Sequence, residues 1–149
     1  MTDSKGIKKI EWALLDTNIL VYAHDHTTDP HKHALARQFI FTRSRSHGLC
    51  VSSQNLAEFF SVLSTKLVKT IPLALALQFT RDVSSVFEVH SYSASTVIRA
   101  AELSNAFRIS IWDALLAATM LENGVQTIFT EDTKPFMKIH GIQAINPLA

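Results

Sequence analysis

Short, almost uncharged apolar runs alternate along this chain with longer segments in which apolar residues recur every three or four positions. The first pattern suits strands buried on both faces, and the second suits amphipathic helices. "WALLD" reads as a first strand, with "TNILVYAHD" a short helix directly after it. "DPHKHALARQFIFTRSRSHG" is a longer helix: Asp29 can cap it, Pro30 suits its first position and Gly48 stops it. "LCVSS" is a second strand. "SQNLAEFFSVLSTKL" puts Leu56, Phe59, Phe60, Leu63 and Leu67 on one helical stripe, and "IPLALALQFTRDV" opens another helix at Pro72. "FEVHSYS" is a third strand, "SASTVIRAAELSNAF" a helix, and "SIWDALLAATMLENG" a helix stopped by Asn123-Gly124. "VQTIFTED" gives a fourth strand, and "GIQAINP" a fifth after a short helix near residues 134–140.

Strands alternating with helices imply an α/β fold whose parallel sheet is covered on both faces. At 149 residues the chain suits a single domain, 1–149, with residues 1–9 expected to be a flexible N-terminal segment. A composition of 47% hydrophobic and 18% charged residues is that of an ordinary globular protein. A net charge of +1 is far from the signature of a dedicated duplex DNA binder, so any nucleic-acid role has to rest on a site. The one cysteine, Cys50, cannot form an intramolecular disulfide, and its apolar setting in "GLCVSS" reads as a small buried hydrophobe. Neither a signal peptide nor an apolar stretch of membrane-spanning length is present, which implies a soluble, cytoplasmic protein with no membrane partner.

In parallel sheets, ligands bind at the carboxyl ends of strands. Four carboxylates fall at strand ends or helix starts. Asp16 ends the first strand, where it is also a good helix N-cap. Glu58 lies two residues past Leu56, about 200° around the helix, so it faces away from the apolar stripe. Asp113 is one acid in a helix that is otherwise apolar on nearly every side and so reads as buried. Its spacing from Ser110 also permits a capping box. Asp132 ends the fourth strand, where it could equally be a turn residue, and the adjacent Glu131 is a possible substitute. Each acid has a local explanation, but a parallel sheet would gather all four at one rim. Carboxylates that close need compensation, because like charges raise one another's pKa. All-oxygen donors suit Mg²⁺ or Mn²⁺ rather than zinc, and such ions support phosphodiester hydrolysis.

The blocks "LLDTNILVY", "SSQNLAEFFSVL", "ISIWDALLAA" and "IFTEDTKPF" resemble, in order, the four motifs of the PIN-domain nucleases, and most nearly those of the VapC-type toxins of type II toxin–antitoxin pairs. Together they span residues 12 to about 145. The first block is fairly specific and the third moderately so; the strength lies in the ordered set. The resemblance implies a three-layer α/β/α sandwich with a central parallel sheet, and Mg²⁺- or Mn²⁺-dependent ribonuclease activity leaving a 5′-phosphate and a 3′-hydroxyl. It assigns Asp16, Glu58, Asp113 and Asp132 to a catalytic metal site, and gives Asn18 and Thr130 supporting hydrogen-bond roles. Asp16 and Asp113 would be direct ligands, while Glu58 and Asp132 would hold a second metal or orient waters. The fourth acid, Asp132 here, varies in the family. The resemblance further implies an RNA substrate, a homodimer and inhibition by a cognate antitoxin protein.

Other features compete for attention. His24, His26, His31 and His33 in "HDHTTDPHKH" invite a zinc reading, but no cysteine accompanies them and packing explains them more simply. Arg43, Arg45, Lys66, Lys69, Arg81, Arg99 and Arg108 could steer a phosphate backbone, although scattered cations are usually a solvated surface. A haloacid-dehalogenase-type phosphatase would want an aspartate where Asn18 stands. A phosphate-accepting receiver domain would want an acidic pair after the first strand and an acceptor aspartate after the third. A non-catalytic PIN-like binding module and a housekeeping PIN nuclease are the remaining alternatives to a toxin.

Overall fold

The computed structural model describes residues 11–149; the flexible segment expected at residues 1–9 lies outside the described residues. Five short strands, β1 (Ala13–Leu15), β2 (Leu49–Ser52), β3 (Glu88–His90), β4 (Thr127–Phe129) and β5 (Gln143–Ile145), form one sheet in the order β3-β2-β1-β4-β5. Every pairing is parallel, with Leu14 opposite both Cys50 and Ile128. β2 runs directly into α3, and Asp16 alone separates β1 from α1. Seven α-helices connect them: α1 (Thr17–His24), α2 (Pro30–Ser46), α3 (Ser53–Ser61), α4 (Leu73–Val86), α5 (Ala94–Phe107), α6 (Ile111–Glu122) and α7 (Lys134–Met137). The stripe that reads as one helix to Leu67 divides, since α3 passes into a π-helical turn at Val62–Lys66.

Side chains alternate across each strand, and this divides the core in two. Leu14, Cys50 and Ile128 pack with α5, α6 and α7 on one face of the sheet. Ala13, Leu15, Val51 and Phe129 pack with α1 to α4 on the other. The result is helices on both sides of a parallel sheet, the three-layer sandwich. Cys50 is fully buried, donates its S–H to the Ala13 carbonyl, and has its thiol pKa pushed by burial to about 12, so it is an inert core residue. No helix among the described residues is long and apolar enough to cross a membrane.

The expected caps are present and bring the polar residues to the carboxyl edge. Asp29 accepts the Lys32 N–H ahead of Pro30. Ser52 and Asn55 form a reciprocal box at the start of α3. Gly124, at φ +67°, ends α6 in the left-handed conformation that its lack of Cβ permits.

Candidate active site

The sheet's connections reverse between β1 and β4, because the chain builds outward through β2 and β3 before crossing back. Open α/β sheets bind ligands in the crevice outside such a reversal. Asp16 stands there, at the end of β1. Its Oδ1 accepts the Thr17 N–H at 2.7 Å, so the helix cap exists, while its Oδ2 accepts the Thr130 hydroxyl at 2.7 Å. Burial pushes the Asp16 pKa from 3.8 to about 6. Hydrogen bonds from Thr130 and Thr17 oppose that rise, and the charges of Glu58 and Asp113 add to it.

Glu58 comes from the second turn of α3. Its Oε2 accepts the Thr17 hydroxyl at 3.0 Å, and its Oε1 accepts the Gln54 amide at 2.8 Å. Thr17 in turn accepts a hydrogen bond from the Asn55 amide at 3.1 Å. The helix cap of α3 is thereby linked through Thr17 to the glutamate.

Asp113 occupies the first turn of α6. Its N–H donates to Ser110 Oγ at 3.1 Å, and the Ser110 hydroxyl donates back to its carboxylate at 3.0 Å. The buried setting that the helix's composition implies holds for Ala114–Met120 but not for this turn. Asp113 is half-buried and Trp112 is 62% exposed, because the first turn of α6 emerges from the core at the sheet's edge. Partial burial raises the Asp113 pKa, the Ser110 hydrogen bond opposes the rise, and the charges of Asp132 and Glu58 reinforce it.

A cavity of about 890 Å³ is lined by Asp16, Thr17, Asn18, Gln54, Glu58 and Asp113. Asp132 is exposed and lies outside this lining, though its charge reaches Asp113. Its N–H donates to Thr130 Oγ1 at 3.1 Å. Asn18 bridges α1 to the loop after β4, donating to Thr130 Oγ1 and accepting the Glu131 N–H, each at 3.4 Å. Glu131, the alternative to Asp132, is already engaged: Lys32 stands 2.5 Å away and the Tyr22 hydroxyl donates to it at 2.8 Å. Another acid lining the cavity, Asp25, is likewise committed. Burial pushes its pKa up, but the hydroxyls and backbone of Thr27 and Thr28 hold it below its usual value.

Among the described residues, no three His, Cys, Asp or Glu side chains form a ready-made cage for one ion. The donor set instead fits a hydrated hard cation. Mg²⁺ retains several waters and takes only one or two carboxylates directly, so the remaining acids would act through water. Two like charges raising the pKa of a third that is already buried is the electrostatic deficit such a cation relieves.

Several cavity residues escape a reading of the sequence. Gln54 lies four positions before Glu58 on one helix face, a spacing that is visible in the sequence. Thr17 carries no such signal. Tyr92, Trp112 and Lys66 also line the cavity. Of the cations that could steer phosphate, only Lys66 is in the lining. The histidines of residues 24–33 lie elsewhere. His24 packs against Phe59 and Phe79, with ring centroids 4.9 and 5.0 Å away, and His33 donates to the Tyr22 carbonyl at 2.7 Å.

Comparison with solved structures finds the same fold. VapBC2 from Rickettsia felis, solved bound to a fragment of promoter DNA, is 22% identical with a TM-score of 0.68, over 91% of this chain and 98% of that one. VapC20 from Mycobacterium tuberculosis, described as a sarcin–ricin-loop-cleaving toxin, is 18% identical with a TM-score of 0.67, over 83% and 92%. FitAcB from Neisseria gonorrhoeae is 18% identical with a TM-score of 0.65, over 91% and 97%. No curated protein sequence matches significantly. The PIN domain family profile matches residues 13–141. That match covers most of the sequence and every one of the site acids, and on it the chain belongs to the PIN domain family.

Proposed function

We propose that this protein is a Mg²⁺- or Mn²⁺-dependent endoribonuclease, the toxin of a toxin–antitoxin pair, held in check by a cognate antitoxin protein. One observation carries the catalytic part. Asp16, Glu58 and Asp113 come from three separate elements and line one cavity at the sheet's reversal point, where the charges of Glu58 and Asp113 add to the raised pKa of Asp16 and that of Glu58 to the raised pKa of Asp113. A protein with no use for a cation has no reason to assemble that charge.

A bound divalent ion would supply Lewis acidity and lower the pKa of the water it carries, favouring attack at phosphorus. Asp16 and Asp113 would hold it, with Glu58 and Asp132 ordering its waters. The hydroxyls of Thr130 and Thr17 fix the carboxylates of Asp16 and Glu58, and Asn18 keeps the Thr130 loop against α1. Lys66 at the rim attracts the phosphate backbone. The rings of Tyr92 and Trp112, 41% and 62% exposed, offer stacking faces to unpaired bases, which favours single-stranded RNA. Cleavage would leave a 5′-phosphate and a 3′-hydroxyl.

The toxin reading rests on the kinship of fold with VapBC and FitAB proteins. Protein partners, a second copy and an antitoxin, suit a chain that leaves Leu73, Leu75 and Leu77 of α4 and Ile98 of α5 exposed. The test is incubation of structured and unstructured RNAs with the purified protein, with Mg²⁺, Mn²⁺ or EDTA, beside Asp113→Asn. Cleavage that survives chelation and the substitution would overturn the metal mechanism. Light scattering reads the dimer. A short adjacent reading frame encoding a DNA-binding protein separates a toxin from a housekeeping nuclease.

A further inference from the structure

Gln54 is buried, at 5% exposure, and sits between two of the site acids. Its Nε2 donates to Glu58 Oε1 at 2.8 Å and to the backbone carbonyl of Trp112 at 2.9 Å. Both partners only accept, so the amide's orientation is forced: nitrogen toward the acids, oxygen away. The oxygen is left buried with no donor. A buried acceptor without a donor is destabilising, because it has given up its bonds to water and gained none in return. An apolar side chain of the same length would avoid that cost, so folding alone does not select glutamine here. What glutamine adds is its two hydrogen bonds, and both end on the wall of the cavity.

The second bond matters as much as the first. Trp112 immediately precedes Asp113, and α3 and α6 lie on opposite faces of the sheet. Gln54 is a polar tie between them, spanning the sheet's edge from Glu58 to the residue before Asp113. We propose that Gln54 is a positioning residue, holding Glu58 and the first turn of α6 at the separation a hydrated divalent cation requires. The inference rests on the metal-dependent reading above. Gln54 touches neither the cation nor the substrate; it acts through Glu58 and through the first turn of α6.

The test is Gln54→Met, which keeps length and loses both donors, measured alone and with Glu58→Gln. The readouts are Mn²⁺ binding by calorimetry without RNA, then kcat and KM for a single-stranded RNA. Thermal melting of each variant reports the fold, and Gln54→Leu replaces Gln54→Met should the latter not fold. Partners that orient metal ligands typically cost 10–100-fold in metal affinity or activity when removed. Gln54→Met is therefore expected to weaken Mn²⁺ binding about tenfold and lower kcat with little change in KM. In the Glu58→Gln background the same change should cost clearly less than it does in the wild type, because coupled residues are non-additive. Unchanged Mn²⁺ affinity, or losses that simply add, would overturn the positioning role while leaving the nuclease reading intact. A wild-type protein that binds no Mn²⁺ would overturn both.

Discussion

Two cavities of this molecule collect titratable groups, and they treat them in opposite ways. The first holds Asp16, Glu58 and Asp113 at the sheet's reversal point. The second, about 610 Å³, is lined by His24, His26, His33, Arg37 and Asp82 among Phe41, Phe79 and Phe87. In the histidine cavity the polar atoms are spent locally: His24 Nδ1–H donates to the Leu20 carbonyl at 2.8 Å, and its ring fills space between two phenylalanines. In the acidic cavity the hydrogen bonds orient the carboxylates but leave their like charges facing one another. A cluster of titratable residues marks a site when its charge is unmet; His24 and His33, though more conspicuous in the sequence, each spend a ring nitrogen on a backbone carbonyl.

Activity should depend most steeply on the acids. Asp113→Asn, or removal of divalent ions, should lower RNA cleavage at least a hundredfold, the upper end for residues that support a bound metal. His24→Ala should leave the rate unchanged in the same assay. If the His24 variant is the inactive one, the assignment of the two cavities is reversed.

Stability should move the other way. Asp16 has its pKa raised by burial from 3.8 to about 6. In metal-free solution the native state therefore holds its proton longer than the unfolded chain does. Its contribution to stability is complete below pH 3.8 and is lost as pH rises through about 6. Asp16→Asn keeps the shape without the charge, so it should be more stable than wild type at pH 8 by up to about 3 kcal/mol. Denaturant unfolding at pH 5 and pH 8 without metal measures this; equal pH dependence in both proteins would contradict it. His24 has the opposite sign, since burial lowers its pKa. Its contribution is present above the unfolded value of 6.5 and lost as pH falls below it.

His24→Ala should destabilise the fold by about 1–3 kcal/mol, from two aromatic contacts worth about 0.5–1.5 kcal/mol each. A lower Tm with normal cleavage is the expected pairing. The smallest effect belongs to the rim. Trp112→Ala should raise KM for single-stranded RNA about fivefold, near the low end of stacking on one base, with kcat nearly unchanged. A loss in kcat alone would place Trp112 in holding α6 rather than RNA.

Much of this was legible along the chain. Buried strands announce themselves as uncharged runs because both faces of a parallel sheet exclude water, and Asp29, Ser52 and Ser110 cap helices as their positions imply. Asp16 and Asp113 fall in the blocks that resemble the PIN motifs and line the same cavity. The half-exposure of Asp113 was not legible: an apolar helix reads as buried throughout, and only its position at the sheet's edge releases its first turn. The exposed position of Asp132 outside the cavity lining was equally hidden.

The alternation of elements, the parallel sheet and the candidate acids can be read from the chain, because periodicity, caps and charge are local properties. Which charges meet follows from the folded arrangement and from nothing shorter-ranged. Thr17, Gln54 and Glu58 become one network, Glu131 is neutralised by Lys32, and the histidines are absorbed into packing. Pairings between residues 41 or 99 positions apart depend on how strands order in the sheet, and no local pattern encodes that.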